Sequence, residues 1–589
     1  MKRFFRYLLA VITGGLITAF IIIVFFMILM TTLTIKSKKP FETKPNSVYV
    51  IKLDKEIVER SQQTIFDELE ILPGSKPATI GLNEILKNIE KAKYDNNIKG
   101  IFLNLSVIRT GIATVSDIRN ALKDFKSSGK FIIAYSDLME KKAYYLATIA
   151  DKVYLNPVGV IEFTGLKSEV NFFKGTFDKL GIEPKVFRVG KFKSFGEMYD
   201  NTKLSEENRL QINAYISGVW NLMLDEISVS RNIPVNDLNR YASTLITETP
   251  EKTYSAGLID SLLYYDQVLE ILKEQCNLNS TDDIKLVSYN QLRKANKKSD
   301  GRGFAKNKIA VIYAWGDVIM GSSDEGNIGA DRISGALKKA RNDNSIKAVV
   351  LRVNSGGGSA LASEVIWREL ELTKQKKPVV ASFGDIAASG GYYISVPADT
   401  IIASPYSLTG SIGVVGILFN AEKFFNDWLG VTHEVVKTNP HADMGSVFRS
   451  VTPVEETSVN KMLDVIYKSF VNHVAEGRNS TFTDIHKIAQ GRIWLATDAY
   501  KINLIDTFGG LNEAVKIAAS MANIDHYRIK ELPEMKDPLK KWLDEASEEV
   551  FQRSMKQKMG ITYDYISEIE KIINSGTYQA LLPMEIQIK

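Results

Sequence analysis

The stretch from Ile80 to Gly165 recurs at Ile328 to Gly413 with a constant offset of 248 residues. Ile80-Gly81 matches Ile328-Gly329, Asp95-Asn96 matches Asp343-Asn344, and Ile98-Lys99 matches Ile346-Lys347. Asp137, Tyr144-Tyr145, Ala150-Asp151, Pro157 and Gly165 match Asp385, Tyr392-Tyr393, Ala398-Asp399, Pro405 and Gly413. A gapless register over some 85 residues is far beyond chance, so the chain carries one domain twice. The copies differ in their loops. The second has Asn354-Ser355-Gly356-Gly357-Gly358 and a serine, Ser389, opening a Ser-Gly-Gly turn. The first has Ser106-Val107-Ile108-Arg109-Thr110 and Lys141 at those places. One copy kept a site that the other lost.

Each copy alternates short apolar runs with helical periodicity. The first begins with a strand at Val48 to Leu53, the second with one at Lys308 to Ala314. Ala348 to Val353, Val379 to Phe383 and Ile401 to Ala403 read as buried parallel strands, and Ala360 to Leu372 as a helix. This alternation predicts an α/β fold with a largely parallel sheet in each copy. Gly257-Leu258-Ile259-Asp260 and Asn503-Leu504-Ile505-Asp506 extend the likeness between the copies.

Leu8 to Ile35 is 28 residues without a charge, which exceeds the ~20 that cross a bilayer core as a helix. The run is too long for a cleaved signal peptide, and it exits through Thr34-Ile35-Lys36-Ser37-Lys38-Lys39. It reads as an uncleaved signal anchor. Lys2, Arg3 and Arg6 flank one side and Lys36, Lys38, Lys39 and Lys44 the other, so the positive-inside count leaves the orientation open. A net charge of +5 over 589 residues gives no case for nucleic acid. The single cysteine, Cys276, excludes an intramolecular disulfide, and the five histidines show no metal-like spacing.

The sequence VVASFGDIAASGGYY, from Val379 to Tyr393, reads as a strand, a short loop, then a helix opened by Ser389. Amides at a helix start lack intrahelical partners. Small neighbours leave room for a substrate backbone, and the amide of Gly390 can face a developing oxyanion. A second donor is expected from the Gly356 to Gly358 loop, where glycines permit close approach. A nucleophilic serine needs a base. His441 is the local candidate, within the loop-like Lys437 to Asp443. The first copy offers another. Pairing Gly181 with Gly430 and Val186 with Val435 sets Lys193 opposite Ala442. The first half therefore has Lys193 without the serine, and the second has Ser389 without the lysine. A lysine acts as base only when neutral. Working at pH 7–8 requires a pKa roughly 3 below the free value of about 10.4, worth about 4 kcal/mol. Burial at a seam can supply this, helped by a neighbouring cation such as Lys191 if that segment is a strand.

These residues resemble the long, duplicated form of the signal peptide peptidase A family, Ser-Lys proteases whose fold is like the Clp protease subunit and the crotonases. The resemblance covers roughly residues 48–525 plus the anchor. It rests on Ala387-Ala388-Ser389-Gly390-Gly391-Tyr392, Leu408-Thr409-Gly410-Ser411-Ile412-Gly413, Arg188-Val189-Gly190-Lys191-Phe192-Lys193-Ser194 and Ala489-Gln490-Gly491-Arg492-Ile493-Trp494. It implies Ser389 as nucleophile, Lys193 as general base, Ser411 as the residue positioning the lysine, and Gly390, Gly358 and Gly357 as the oxyanion hole. It departs at Gly356, where the family loop usually has proline, and at Asn503, where glycine is expected.

The resemblance further implies no metal or other cofactor and hydrophobic peptide substrates such as cleaved signal peptides. It implies membrane lipid around residues 7–35, and a catalytic part on the extracytoplasmic side of the bacterial inner membrane. It also implies a homotetramer with sites shared between adjacent chains, although the sequence permits a same-chain site equally well. The expected organisation is a tail at 1–6, the transmembrane anchor at 7–35 and a tether at 36–46. A first Clp/crotonase-like repeat follows at 47–296, a linker at 297–306, a second repeat at 307–525 and a helical appendage at 526–589. The alternatives are a crotonase-like acyl-CoA enzyme and a catalytically inactive membrane scaffold.

Overall fold

The β-branched runs form the parallel strands their composition suggests, and the 248-residue offset survives into the fold. The computed structural model describes residues 41–61, 79–295, 305–535 and 578–581, with scattered positions between 3 and 25. Strand Ile98–Asn104 has its counterpart in Ile346–Ser355, and Phe131–Met139 in Val379–Ala388. Helices Leu82–Tyr94 and Ala330–Asn342 correspond, as do Ile112–Lys126 and Ala360–Lys374. The helix faces repeat too. Leu82, Ile85, Leu86, Ile89 and Ala92 are buried at helical spacing, and Ala330, Ile333, Leu337 and Ala340 are buried at the matching positions.

The first sheet runs in the order Ser261–Leu262, Lys152–Ile161, Phe131–Met139, Ile98–Asn104, Ser47–Ile51, Lys285–Val287. The second runs Ile493–Leu495, Leu408–Gly410, Val379–Ala388, Ile346–Ser355, Lys308–Trp315, Arg528–Leu532, with Thr400–Ala403 also paired to Val379–Ala388. All these pairings are parallel except Ile493–Leu495 against Leu408–Gly410. Residues 526 onward were expected to be helical. Arg528–Leu532 is instead a strand parallel to Lys308–Trp315, occupying the place that Lys285–Val287 takes in the first sheet. Its charged alternation, Arg-Ile-Lys-Glu-Leu, is that of an edge strand.

Asn503 stands at φ +60°, the left-handed conformation that Gly257 adopts at φ +74° in the first half. Asparagine is among the few residues that tolerate it. Its side chain is used. Arg478 donates to the Asn503 main-chain oxygen at 2.8 Å and side-chain oxygen at 3.2 Å, and pairs with Asp506. In the first half Arg231 likewise donates to the Gly257 main-chain oxygen and pairs with Asp260.

A third sheet joins the halves. Strand Glu183–Val189 of the first half pairs antiparallel with Val414–Asn420 of the second, Val189 opposite Val414 and Glu183 opposite Asn420. A buried ionic cluster adds to the seam. The Arg352 guanidinium donates to Glu59 at 2.9 Å and Asp117 at 3.1 Å, with all three side chains almost wholly shielded from water. Among the described residues no helix is long and apolar enough to cross a membrane. The expected anchor at 7–35 lies mostly outside them.

Candidate active site

Ser389 follows strand Val379–Ala388 directly. The strand was expected to end near Phe383 in a loop. It continues because Ile386, Ala387 and Ala388 pair with Leu408, Thr409 and Gly410. The chain then turns sharply into the short helix Gly390–Tyr393, leaving Ser389 at φ +54° and ψ −117°. A non-glycine residue held there stores about 1–3 kcal/mol of strain. The Ser389 amide donates to Gly410 O at 2.8 Å, and the Tyr393 amide donates to Ser389 O at 2.9 Å, which hold the turn.

Lys193 reaches this serine from the first half of the same chain. Strand Glu183–Val189 carries the chain across the third sheet, and a turn after Gly190 delivers the lysine. Its Nζ lies 2.7 Å from Ser389 Oγ, 2.9 Å from Ser411 Oγ and 3.1 Å from Ser411 O. Lys193, Ser389 and Ser411 are all fully buried. Burial pushes the Lys193 ammonium well below its usual pKa. The help expected from Lys191 is absent, because that segment is a turn rather than a strand. Lys191 is exposed, with its ammonium over the Phe192 ring.

The lysine turn is held from two sides. Gln211, in helix Glu206–Arg231, donates to Phe192 O at 3.2 Å and Ser194 Oγ at 3.1 Å, and accepts from the Ile493 amide at 3.1 Å. On the other side, the Phe192 amide donates to Gln490 O and the Gly491 amide to Ile412 O. A Cβ at Gly491, which has φ +76°, would sit 2.5 Å from Lys193 Cβ. Neither Gln211 nor Gly491 had a role in the sequence reading. Gln490-Gly491 was visible as part of a family motif, whereas Gln211 sits in an ordinary helical pattern that gives no such signal. Gly491→Ala is expected to lower peptide turnover by about 100-fold, as a misplaced catalytic group does. Turnover within three-fold of wild type would remove the packing role assigned to it.

The glycine loop lies against the turn that bears the serine. A Cβ on Gly390 would meet Gly357 Cα at 3.1 Å and Gly358 N at 3.2 Å. Without the proline, Ser355 pins this loop, donating to Gly316 O at 2.6 Å and accepting the Gly357 amide at 3.1 Å. Gly357 was expected in the oxyanion hole, but its amide is committed to Ser355. Gly390 and Gly358 remain as the candidates. His441 is not a partner of Ser389. It pairs with Glu455 at 3.0 Å on an exposed loop, beside Arg449. The position matching Ser389 in the first half holds Lys141, ion-paired with Glu162.

A model of peptidase family S49 matches residues 124–279 and 371–525, one segment in each repeat and together more than half the chain. The chain belongs to peptidase family S49. It is a serine protease of that family. It is 34% identical to Protease 4 of Haemophilus influenzae over 521 residues, 85% of this chain and 83% of that one. It is 35% identical to Protease 4 of Salmonella typhi over 76% of this chain and 73% of that one. It is 33% identical to a chloroplastic serine protease SPPA of Arabidopsis thaliana over 78% of this chain and 68% of that one. The solved chain of a ClpP1 mutant from Listeria monocytogenes aligns with 35% of this chain and 94% of its own, at 13% identity and a TM-score of 0.24, a level that decides nothing. Family S49 leaves the acyl-CoA alternative without support.

One expectation about this S49 protease is corrected. The site was expected to be shared between adjacent chains, yet Lys193 and Ser389 meet within one. Duplication removes the need for a neighbour, because the second repeat is tethered beside the first. Mixing inactive Ser389→Ala chains with inactive Lys193→Ala chains is therefore expected to leave activity at background. Recovery after verified subunit exchange would show a site completed between chains.

Proposed function

We propose that this protease is a Ser-Lys endopeptidase that degrades hydrophobic peptides, including cleaved signal peptides. The observation that carries the proposal is the 2.7 Å approach of Lys193 Nζ to Ser389 Oγ in full burial, with Ser411 as the lysine's other partner. Neutral Lys193 takes the proton of Ser389 as its Oγ attacks the scissile carbonyl carbon. Amides of Gly390 and Gly358 stabilise the oxyanion. The Lys193 ammonium then protonates the leaving amine, and water, deprotonated by the same lysine, releases the acyl group. Ser411 fixes the lysine's direction through both its hydroxyl and its carbonyl. A paired nucleophile and base with a strained serine is arrangement enough to set the inert-scaffold alternative aside.

Residues 7–35 anchor the chain in the bacterial inner membrane, with both repeats on the extracytoplasmic side and four copies assembled in a ring. The uncharged run supports the anchor, and apolar substrates suit an enzyme tethered at a bilayer. The test is incubation of the full-length protein in detergent with a synthetic signal peptide and, separately, a polar peptide of equal length. Internal cleavage of the signal peptide, abolished by Ser389→Ala, is expected. Equal cleavage of both would remove the preference for apolar substrates.

A further inference from the structure

Tyr393 closes the short helix that begins right after Ser389, and its hydroxyl donates to Glu364 Oε2. Glu364 lies near the start of helix Ala360–Lys374, which begins two residues after Gly358. The residue before it, Ser363, meets the other end of the short helix. A Cβ on Gly390 would sit 2.8 Å from Ser363 Oγ, which itself donates to Ser359 O at 3.0 Å. One stretch of helix, just behind the glycine loop, thus touches both ends of Gly390–Tyr393. His473, from helix Pro453–Gly477, holds Glu364 in place. Its Nε2 lies 3.2 Å from Glu364 Oε2 and 3.3 Å from Oε1, and its ring stacks on Trp367 with centroids 3.6 Å apart. The His473 hydrogen bond holds the Glu364 carboxyl below its usual range, with Tyr393 adding to it against partial burial. An ionised carboxylate only accepts, so His473 Nε2 carries a proton.

The first copy has the same tyrosine but a different bond. Tyr145 matches Tyr393, and its hydroxyl donates to Glu226 at 2.8 Å. Glu226 belongs to helix Glu206–Arg231 and stands at the place of His473. Each lies five residues before the arginine, Arg231 or Arg478, that donates to the Gly257 or Asn503 main-chain oxygen. Arg119, at the place of Trp367, pairs with Glu226 at 2.8 Å, and Ser116 stands at the place of Glu364. In the copy without a nucleophile the tyrosine is tied to the later helix. In the copy with Ser389 the carboxylate sits instead on the helix that follows the glycine loop. Either arrangement would serve packing. Only the second ties the serine turn to the loop that supplies the other oxyanion amide.

We infer that Glu364 is a positioning residue of the oxyanion hole, fixing through Tyr393 the gap between the Gly390 and Gly358 amides. The inference rests on reading Ser389 as the nucleophile and those amides as the oxyanion donors. Hydrogen bonds weaken steeply with poor geometry, so donors that drift apart lose strength where charge develops. A peptide bound in its ground state carries no such charge and is held equally well.

The test uses full-length proteins in detergent with a synthetic signal peptide as substrate. Tyr393→Phe and Glu364→Leu are each expected to lower kcat about ten-fold with KM within about two-fold, a part of the roughly 10²–10³ that losing a whole donor costs. A peptide aldehyde provides a second readout. Ser389 Oγ adds to its carbonyl carbon, Lys193 takes the serine proton, and the carbonyl oxygen becomes the oxyanion. Its affinity should fall by the same factor as kcat. Glu364→Gln keeps an acceptor for the tyrosine hydroxyl and should recover most of the loss. Tyr145→Phe removes the matching hydroxyl of the first copy and should leave kcat and aldehyde affinity at wild type. Tyr393→Phe retains its ring, so it decides alone if Glu364→Leu does not fold. An unchanged kcat in Tyr393→Phe, a change confined to KM, or an equal fall in Tyr145→Phe would overturn the inference. Failure of the dyad reading would appear separately, as hydrolysis surviving Ser389→Ala with Tyr393 and Glu364 intact, and the inference would fall with it.

Discussion

Ser389→Ala and Lys193→Met are each expected to lower peptide hydrolysis on the order of 10⁶-fold, with the double variant no worse than either alone. Nucleophile and base act as one unit, so losing either loses both. The two variants should differ in stability. Lys193 is fully buried, and burial holds its pKa well below 10.5. Between that lowered value and about 10.4 the unfolded chain binds more protons than the folded one, so wild-type stability rises with pH across that window. Lys193→Met should flatten this rise and raise the unfolding midpoint at neutral pH, whereas Ser389→Ala should leave the rise in place. Activity should climb with pH along a limb that ends below 10.5, because Lys193, the proposed base, can accept a proton only when neutral. Hydrolysis retained in Lys193→Met, measured on the same apolar peptide, would assign the base elsewhere.

Arg352→Met is expected to destabilise the protein by about 3–5 kcal/mol, because it leaves two carboxylates buried without their cation. Glu59 and Asp117 come from the first half and Arg352 from the second, so the loss falls on the seam that brings Lys193 to Ser389. Burial pushes the Asp117 carboxyl up to about 7, with Arg352 opposing the rise and Glu59 adding to it. A carboxyl raised in the folded state favours folding while protonated, and that contribution is lost as pH rises from about 4 through about 7. The variant should therefore suffer more at pH 8 than at pH 5. Adding Glu59→Gln and Asp117→Asn should recover part of the loss. Urea unfolding at the two pH values measures all of this. A cost below about 1 kcal/mol at pH 8 would show that the strand pairing alone holds the seam.

The sequence by itself determined the duplication and the α/β class, and it singled out the two side chains, Lys193 and Ser389, that the fold brings within 2.7 Å. Local patterns carry those properties. A constant offset of 248 residues needs no structure to be read. Buried parallel strands are near-continuously apolar, and that composition is visible in Ala348 to Val353, where Arg352 alone interrupts it. Complementary loss between the copies singled out Lys193 and Ser389, although 196 residues separate them.

The tertiary structure alone decided how those residues meet. Sequence places no constraint on which strands pair at long range. Only the antiparallel pairing of Glu183–Val189 with Val414–Asn420 completes the site within one chain. Gln211 and the ionic cluster around Arg352 were silent for the same reason, since a polar residue on a helix or strand looks solvated until its partners arrive from elsewhere. The strand at Arg528–Leu532 was missed because an edge strand carries charges that read as a helical surface. Lys191 shows the converse. Its helping role depended on a strand continuing past Val189, and the turn after Gly190 points it to solvent. Burial of Lys193 is likewise a property of the assembled seam, because only there do both halves exclude water from the same ammonium.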